Sequence, residues 1–247
     1  MAAYGIQPLF THTLQLKTAM RGYVGQLMYH FKKGEPMIKC VVFDFDGTIV
    51  ESRYLAIDIL NQLAKKYGFR QIEEKEFEKL RSLSLLERCK YINIPVFMIP
   101  IVYVELKNKY QQATNELQLY KGISKVIRAL KEKEYKLSII SSNSIDIITE
   151  LLKKNDINSF DSIYSSKNYF GKDWAISAYL RKYSLNNKDV VYIGDEYRDI
   201  IASKRNNVKV IAVTWGYDSL ELLKTGKPDF IAASPGELLN IIHNKLA

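Results

Sequence analysis

The sequence predicts an α/β fold, a doubly wound parallel sheet with a block of helices inserted after its first strand. Residues 38–43 form an apolar, β-branched run that is typical of a buried strand. About seventy residues with helix signals and little strand signal follow it. From about residue 124 onward, short apolar strands alternate with helix-period segments, which indicates a parallel sheet covered on both faces.

The predicted elements before residue 120 are mostly helical. The first strand ends at Asp44, and the chain turns helical after Thr48. Apolar residues then recur at helical spacing, at Ile57, Leu60, Leu63 and Ala64. Two further helix-period stretches cover 72–91 and 95–119.

The predicted elements after residue 120 alternate. In chain order they are helix 124–133, strand 137–140, helix 145–152, strand 162–165, helix 173–183, strand 190–193, helix 199–204, strand 208–213, strand 229–232 and helix 235–242. This spacing favours helices on both faces of one sheet.

Composition limits the function classes. The chain has 247 residues, 47% of them hydrophobic and 26% charged, which is typical of a globular chain with a full core. Two cysteines, Cys40 and Cys89, exclude a disulfide scaffold and a cysteine-ligated zinc site. The three histidines lie near the chain ends. Chemistry in the middle of the chain is therefore expected to use carboxylate, lysine or hydroxyl groups.

The formal net charge of +9 fits a nucleic-acid or membrane partner, a small anionic substrate or a lysine-rich surface. No block of five or six like charges and no arginine-rich helix occurs, so no nucleic-acid partner is expected. The most apolar stretch, 94–104, is too short for a membrane span and contains Pro95 and Pro100. No signal peptide with a cleavage site is visible. We therefore expect no membrane association and a cytoplasmic location.

Residues 1–36 form a segment of uncertain status with four basic residues and one acidic residue. Three interpretations stay open for it. It is an upstream start or an added leader before Met37, a helical accessory segment packed on the body, or an organelle transit peptide.

Polar side chains follow the predicted strands where each strand ends. In chain order they are Asp44, Asp46, Thr48, Ser141, Ser142, Lys172, Asp195 and Asp199. Ligands of an open parallel sheet bind beyond the carboxyl ends of its strands, so these groups are expected to converge. Up to four buried carboxylates with one lysine leave an excess of negative charge that a divalent cation would offset. Oxygen ligands with room for water and phosphate suit Mg²⁺. The edge is therefore predicted to bind magnesium and an anion.

The spacing suggests roles for the acidic groups. Asp44 at the strand tip is placed to attack phosphorus, and Asp46 is placed to protonate a leaving oxygen and then activate water. Gly47 allows the sharp turn that follows. Asp195 would bind metal directly, and Asp199 directly or through water. Taken singly, an Asp-Gly-Thr sequence is often only a turn, and the other two aspartates could be a cap and a solvated helix residue.

The phosphate ligands are expected to be hydroxyl, amide and ammonium groups. Ser141, Ser142 and the backbone amides after them lie at a helix start, and Thr48 is a further candidate. Lys172 would supply charge to both the phosphate and Asp44. Singly, the serines are an ordinary helix cap and the lysine a surface residue.

The arrangement resembles the haloacid dehalogenase superfamily of phosphohydrolases, and within it the phosphoglycolate phosphatase group. The matching segments are 41–48, 139–143, Gly171-Lys172, and 192–195 with Asp199. The resemblance runs from about residue 38 to the C-terminus. It implies a Rossmann-like catalytic core formed by 37–50 and 120–247, with 51–119 as a helical cap.

The resemblance also implies roles. Asp44 would be the nucleophile and Asp46 the acid/base. Magnesium would be held by Asp44, the backbone carbonyl of Asp46, and Asp195. True dehalogenases lack the second aspartate of the first motif, so Asp46 favours phosphoryl transfer. The chain departs from many relatives in having Asp173 rather than proline after Lys172.

A helical cap that closes over the site would exclude water and favour small phosphate monoesters over phosphoproteins. The apolar runs 96–99 and 101–104 are interpreted as cap core, or else as a dimerisation face or the site of a hydrophobic substrate tail. Arg53 and Lys90 are candidate cap contacts to an anionic substrate, or else surface charges.

The predicted function is that of a magnesium-dependent phosphatase acting on a small phosphorylated metabolite, as a monomer or homodimer. The alternatives are a sugar phosphomutase on the same fold and a non-catalytic binding protein. The intact pair Asp44 and Asp46 speaks against the last of these.

Overall fold

The computed structural model describes residues 38–114, 117–166 and 171–246. The interpretations of the segment 1–36 lie outside the described residues, and the statements below concern the described ranges only.

Six parallel strands form the central sheet, in the spatial order β5-β4-β1-β6-β7-β8. They are β1 (Cys40–Phe43), β4 (Lys136–Ser141), β5 (Ser162–Ser165), β6 (Val190–Gly194), β7 (Lys209–Val213) and β8 (Phe230–Ala232). The chain builds outward from β1 in one direction through β4 and β5, and then in the other through β6, β7 and β8. The predicted doubly wound parallel sheet is thereby confirmed, and its topological switch point lies at β1.

Strand β1 shows why the sheet is buried on both faces. Its four residues are at most 1% exposed. Val41 and Phe43 belong to one apolar cluster, and Cys40 and Val42 belong to the other. Because successive side chains of a strand point to opposite faces, a continuous apolar run serves two cores at once.

Ten α-helices are found in the described ranges. They are α1 (Arg53–Tyr67), α2 (Phe77–Arg81), α3 (Leu85–Tyr91), α4 (Ile99–Gln112), α5 (Ile123–Glu132), α6 (Ile145–Lys154), α7 (Lys172–Lys182), α8 (Tyr197–Arg205), α9 (Leu220–Thr225) and α10 (Pro235–Lys245). Helix α5 shows the pattern that packs them, with Ile123, Val126, Ile127 and Leu130 buried at helical spacing.

The helices α1 to α4 lie between two short antiparallel strands, β2 (Val50–Glu51) and β3 (Gln118–Leu119). A helical insertion is what the pattern of residues 51–119 predicts, while the division into core and cap domains stays a prediction. The inserted helices are linked to the sheet where β1 ends, so they stand next to the edge that carries the polar residues.

Two boundaries in this insertion were predicted wrongly. The stretch 95–119 is not one helix, because α4 ends at Gln112 and Leu119 pairs with Val50. The stretch 72–91 is broken into short helices. The Ser84 side chain accepts a hydrogen bond from the Glu87 backbone N–H and caps the start of α3, so a new helix begins there.

Within the described ranges, no single helix has the length and apolar character needed to cross a bilayer. Helix α3 together with residues 96–112 passes the same test of length and composition, although the pair is bent by 112°.

Candidate functional site

The carboxyl ends of β4, β1 and β6 are neighbours, and the polar residues that follow them meet there. Lys172, the first residue of α7, donates from Nζ to Asp44 Oδ2 at 2.8 Å and also to Asp199 Oδ1. The three side chains are 2%, 3% and 0% exposed, respectively. Residues far apart in sequence therefore form one buried ion cluster, as the strand-end argument predicts.

The loop after β1 turns sharply at Gly47, whose φ is +79°. A Cβ at this position would overlap the Asp195 carboxylate and the Tyr217 ring. Glycine is therefore required both for the left-handed backbone and for the close approach of the β6 end. The turn is what brings Asp44 and Asp46 to the same edge.

The Asp195 carboxylate is held by groups from two loops. Thr48 Oγ1 donates to Asp195 Oδ1 at 2.7 Å, and the Tyr217 backbone N–H donates to Oδ2 at 2.7 Å. Thr48 is fully buried, so in this structure its hydroxyl is directed at the carboxylate. Its predicted role as a phosphate ligand stays a prediction.

Asp46 is contacted by the inserted helices as well as by the sheet edge. The Tyr110 hydroxyl, on α4, donates to Asp46 Oδ1, and Asn143 Nδ2 donates to Oδ2 at 3.3 Å. The carboxylate thus has one hydrogen-bond donor on each oxygen. Tyr110 is 6% exposed, so the side chain that links the insertion to the proposed acid/base is itself buried.

The predicted phosphate ligands after β4 lie beside this group. Ser141 is buried and its Oγ accepts a hydrogen bond from the Asn143 backbone at 3.0 Å. Ser142 is half-buried and lines the same cavity as Asp46. Helix α6 begins two residues after Asn143, so its N-terminal end lies close to this edge in sequence.

Burial dominates the electrostatics of the aspartates. It raises the pKa of Asp44, although Lys172 acts against it, and it raises the pKa of Asp199 to about 6 against the same lysine. Burial, followed by repulsion from Glu196 and Asp44, raises the pKa of Asp195 well above its ordinary value. For Asp44 and Asp199 the ammonium of Lys172 offsets only part of the cost of burying the charged form, and for Asp195 neighbouring carboxylates add to that cost.

Glu196 and Arg198 add an ion pair that the sequence reading missed. Burial alone would raise the pKa of Glu196, but the charges of Arg198 and Lys172 outweigh it and lower that pKa to about 2. Glu196 Oε2 lies 2.5 Å from Arg198 Nη2. Its position in the sequence marks Glu196 as a candidate site residue, since it directly follows Asp195 after the end of β6.

The residues present fit a divalent cation. Carboxylate oxygens of Asp44, Glu196 and Asp199 lie within 4.8 Å of one another, and all three residues are buried. Oxygen donors of this kind suit Mg²⁺, and its charge would lower the cost of burying so many carboxylates together. Asp195 and Asp46 are not part of this group of three.

A cavity of about 660 Å³ begins at this edge. Asp46, Ser142, Asn143 and Arg198 line it at the sheet, and the remaining wall comes mainly from the inserted helices. Arg53 lines the cavity, whereas Lys90 is exposed and does not line it. Of the two candidate cap contacts, only Arg53 is placed where it can meet a ligand of this cavity.

Other residues of the site were also missed by sequence reasoning. Tyr110 and Tyr217 carry no local motif, and their positions depend on how distant elements pack. Asn143 lies in the segment 139–143, for which the sequence predicts roles only at Ser141 and Ser142.

Comparison with known proteins identifies what the chain resembles. Its sequence matches the family described as haloacid dehalogenase-like hydrolase over residues 41–213. It is 26% identical over 206 residues to the phosphoglycolate phosphatase of Synechococcus elongatus, covering 83% of this chain and 97% of that relative. It is 27% identical over 220 residues to a pyrophosphatase of Listeria innocua, covering 84% and 98%.

Solved structures show the same fold. A haloacid dehalogenase-like hydrolase of Streptococcus pneumoniae superposes with a TM-score of 0.71 at 24% identity, covering 82% of this chain and 97% of that one. A protein of Clostridium acetobutylicum, described as a predicted phosphatase, superposes with a TM-score of 0.73 at 23% identity, covering 84% and 99%.

Proposed function

Since this chain belongs to the haloacid dehalogenase-like hydrolase family and is a phosphatase, we propose that it hydrolyses a phosphate monoester through an aspartyl-phosphate at Asp44, with magnesium as cofactor. The observation that carries the proposal is the geometry around Asp44. One oxygen of its buried carboxylate accepts from Lys172, and Asp46, with its own donors, follows two residues later.

The proposed reaction has two displacement steps. An Asp44 carboxylate oxygen attacks phosphorus, and the bond from phosphorus to the leaving oxygen breaks. Asp46 gives its proton to that oxygen, so an alcohol leaves. Asp46 then takes a proton from water as the water oxygen attacks the same phosphorus. The aspartyl bond breaks, which releases inorganic phosphate and restores both carboxyl groups.

The environment of Asp46 supports this acid/base role. Burial raises the pKa of Asp46, while the hydrogen bonds from Tyr110 and Asn143 act in the opposite direction. A carboxyl group with a raised pKa holds a proton closer to neutral pH, which general acid catalysis requires. Burial and the nearby Asp46 raise the pKa of Tyr110 far above its ordinary value, so this residue stays a hydrogen-bond donor.

The remaining polar groups are proposed to bind the phosphate and the metal. Ser141 and Ser142 with the backbone after them would bind phosphate oxygens, and Lys172 would neutralise part of the phosphate charge. The metal ligands would be Asp44, Asp195, Asp199, the Asp46 backbone carbonyl and the newly found Glu196. When bound, Mg²⁺ would supply positive charge that stabilises the transferring phosphoryl group.

The substrate class proposed from the relatives is a small phosphorylated metabolite. A sugar phosphomutase stays the alternative, and product analysis separates the two, since a mutase releases little inorganic phosphate. A cytoplasmic location, a monomeric or homodimeric state, and the lack of a nucleic-acid partner stay predictions.

The test is a phosphatase panel with and without Mg²⁺, applied to the unchanged chain and to Asp44→Asn. We expect Asp44→Asn to lose all turnover, because an amide does not attack phosphorus. The matched control is Asp156→Asn, at an exposed aspartate with φ of +52°, a conformation that asparagine also tolerates. Mass analysis of a rapidly quenched reaction should find one phosphoryl group on the peptide with Asp44. Hydrolysis that survives in Asp44→Asn would refute the proposal.

A further inference from the structure

The cavity beside Asp46 extends from the proposed reaction centre into the inserted helices. Asp46 lines its inner end, and Tyr110, which donates to Asp46, lines the same space. Its volume of about 660 Å³ lies within the range of roughly 300–1,000 Å³ typical of pockets that enclose drug-sized ligands. A phosphoryl group at Asp46 would therefore have its organic part in this cavity.

The wall of the cavity is mainly apolar. It is formed by side chains from several segments of the insertion, including Ile57, Leu60, Phe77, Leu80, Ile92 and Val102. A substrate rich in hydroxyl groups would lose its hydrogen bonds to water here and find few replacements. An apolar group would instead gain free energy from burial.

The arginines of the wall that come from α2 and α3 are already occupied. Arg81 donates to Glu78 at 3.0 Å and to the backbone oxygen of Thr214 at 2.8 Å. Arg88 pairs with Asp218 and donates to the Leu80 backbone oxygen. Both side chains join the insertion to the loop after β7, and their charges are paired with carboxylates of the protein. They therefore add little capacity to bind a polar organic group.

Two other cations of the lining fit the anionic end of a substrate. Arg53 and Lys107 line the cavity and have no ion pair within the described ranges, although Arg53 Nη1 donates to the Gly216 backbone oxygen at 3.4 Å. Phosphate is the charged part of a monoester, so these cations match its charge without requiring a polar organic group.

The rim of the cavity is also apolar where it reaches solvent. Pro100 and Val104 line the cavity and are exposed, Val104 by 55%. Ile101 lies on the same helix and is 47% exposed. The apolar wall of the cavity therefore continues to exposed apolar residues along α4.

We infer that the substrate is a phosphate monoester with a predominantly apolar organic group, which is bound in this cavity while its phosphate meets Asp44 and Asp46. The inference rests on the proposed function for its chemistry, and on the cavity for its substrate class. Of the interpretations given for residues 96–104, it favours the site of a hydrophobic substrate tail over cap core. Ile99, Val102 and Val104 line the cavity, whereas Val96 and Phe97 are 76% exposed and do not line it.

The test uses n-alkyl phosphates from ethyl to hexyl, which share one phosphate and one type of leaving oxygen. Each buried methylene should raise kcat/KM about fourfold, so hexyl phosphate should exceed ethyl phosphate by about 200-fold. Binding of the same compounds to Asp44→Asn, measured by calorimetry with Mg²⁺ present, should strengthen along the series in the same way.

Leu60→Trp fills the cavity from α1. It should reduce the preference for hexyl over ethyl phosphate at least tenfold, because the longer chain loses the space that it would fill. Ala56→Leu, one turn earlier on the same half-buried helix face, is a milder second variant that guards against misfolding. The matched control is Leu86→Trp, at an exposed position of the insertion that does not line the cavity; it should behave as the unchanged chain.

The outcomes separate the two proposals. A flat or falling alkyl series with hydrolysis that depends on Asp44 would overturn the inference and leave the proposed function standing. No hydrolysis of any compound, together with binding that strengthens with chain length and weakens in Leu60→Trp, would refute the proposed function and support the apolar site. Neither hydrolysis nor length-dependent binding would refute both.

Discussion

Lys172 is the cation that makes the burial of Asp44 and Asp199 tolerable, and its removal is the sharpest test of the charge balance. In Lys172→Met the stem of the side chain is kept and the ammonium is lost. Two carboxylates that are at most 3% exposed would then have lost their shared partner. We expect a large loss of stability and no measurable phosphatase activity.

The magnitude follows from the geometry. Breaking a buried ion pair by removing one partner costs about 3–5 kcal/mol, because the other charge stays buried. For a domain of this size, 1 kcal/mol shifts Tm by about 2–4 °C, so a loss of roughly 6–20 °C is expected. The raised pKa of Asp199 limits the loss, since this carboxyl group can take up a proton instead.

The assay is thermal and urea unfolding of the metal-free protein at neutral pH. The matched control is Lys131→Met, which removes a lysine that lies 2.7 Å from Asp161 with both side chains more than 40% exposed. An exposed pair of this kind contributes about 0–1 kcal/mol. A double variant, Lys172→Met with Asp199→Asn, should be less destabilised than the sum of the single changes, because the repulsion between the carboxylates is relieved.

Equal destabilisation by Lys172→Met and Lys131→Met would refute the reasoning. So would strict additivity in the double variant, since it would mean that Lys172 and Asp199 do not interact. Either result would remove the electrostatic argument for a divalent cation at this edge.

Three further predictions concern the same edge. Tyr110→Phe should lower kcat about 10–100-fold, because a hydrogen bond to a charged group is worth about 1.5–3 kcal/mol, and should raise the pKa of Asp46 in the pH–rate profile; an unchanged profile would contradict the contact. Gly47→Ala should abolish activity and destabilise the fold, because the added Cβ would overlap the Asp195 carboxylate. Gly68→Ala is the control, since Gly68 has a φ of +74° and a Cβ added there would meet no atom within 4 Å, so only the backbone strain should lower its stability. Equal losses of unfolding free energy in urea would argue against the close packing of Gly47 on Asp195. In metal-free protein, the free energy of unfolding should fall as pH rises from about 4 through about 6, because burial raises the folded-state pKa of Asp199 to about 6 and this stabilisation is lost above it. Mg²⁺ should therefore raise Tm more at neutral than at acidic pH, and a Tm that instead rises with pH in the metal-free protein would oppose the assignment.

The sequence predicts the convergence of Asp44, Lys172, Asp195 and Asp199 because the positions of strand ends in a parallel sheet are set by the sheet itself. A buried strand is recognisable from a short apolar run, and the carboxyl ends of parallel strands share an edge whatever the loops do. Once β1 and β6 are placed next to each other, Asp44, Asp195 and Asp199 have little freedom, whereas Lys172 comes from the start of α7, seven residues after the end of β5. Local pattern and topology therefore agree here.

The insertion was predictable only as a set of helices. Tyr110 lies sixty-four residues from Asp46, and their contact depends on how α4 is packed. Two-residue strands such as β2 and β3 are too short to show a period, which explains why Leu119 was assigned to a helix. A cavity wall and a solid core use the same apolar residue types, so sequence pattern does not distinguish Leu60 in the cavity wall from Leu63 in the core.

The same difference in predictability separates the two parts of the function. The residues proposed for phosphoryl transfer lie on short loops after rigid strands, where a small displacement would cost catalysis, and they are therefore encoded by dense local motifs. The residues proposed to select the substrate need only be apolar and of suitable size, and many sequences satisfy that condition. Tyr110 connects the parts, because it lines the apolar cavity and also donates to Asp46. A substrate that fills the cavity would thus contact the same helix whose Tyr110 donates to the proposed acid/base Asp46. Binding of the organic group and proton transfer at Asp46 would then both depend on how α4 is packed.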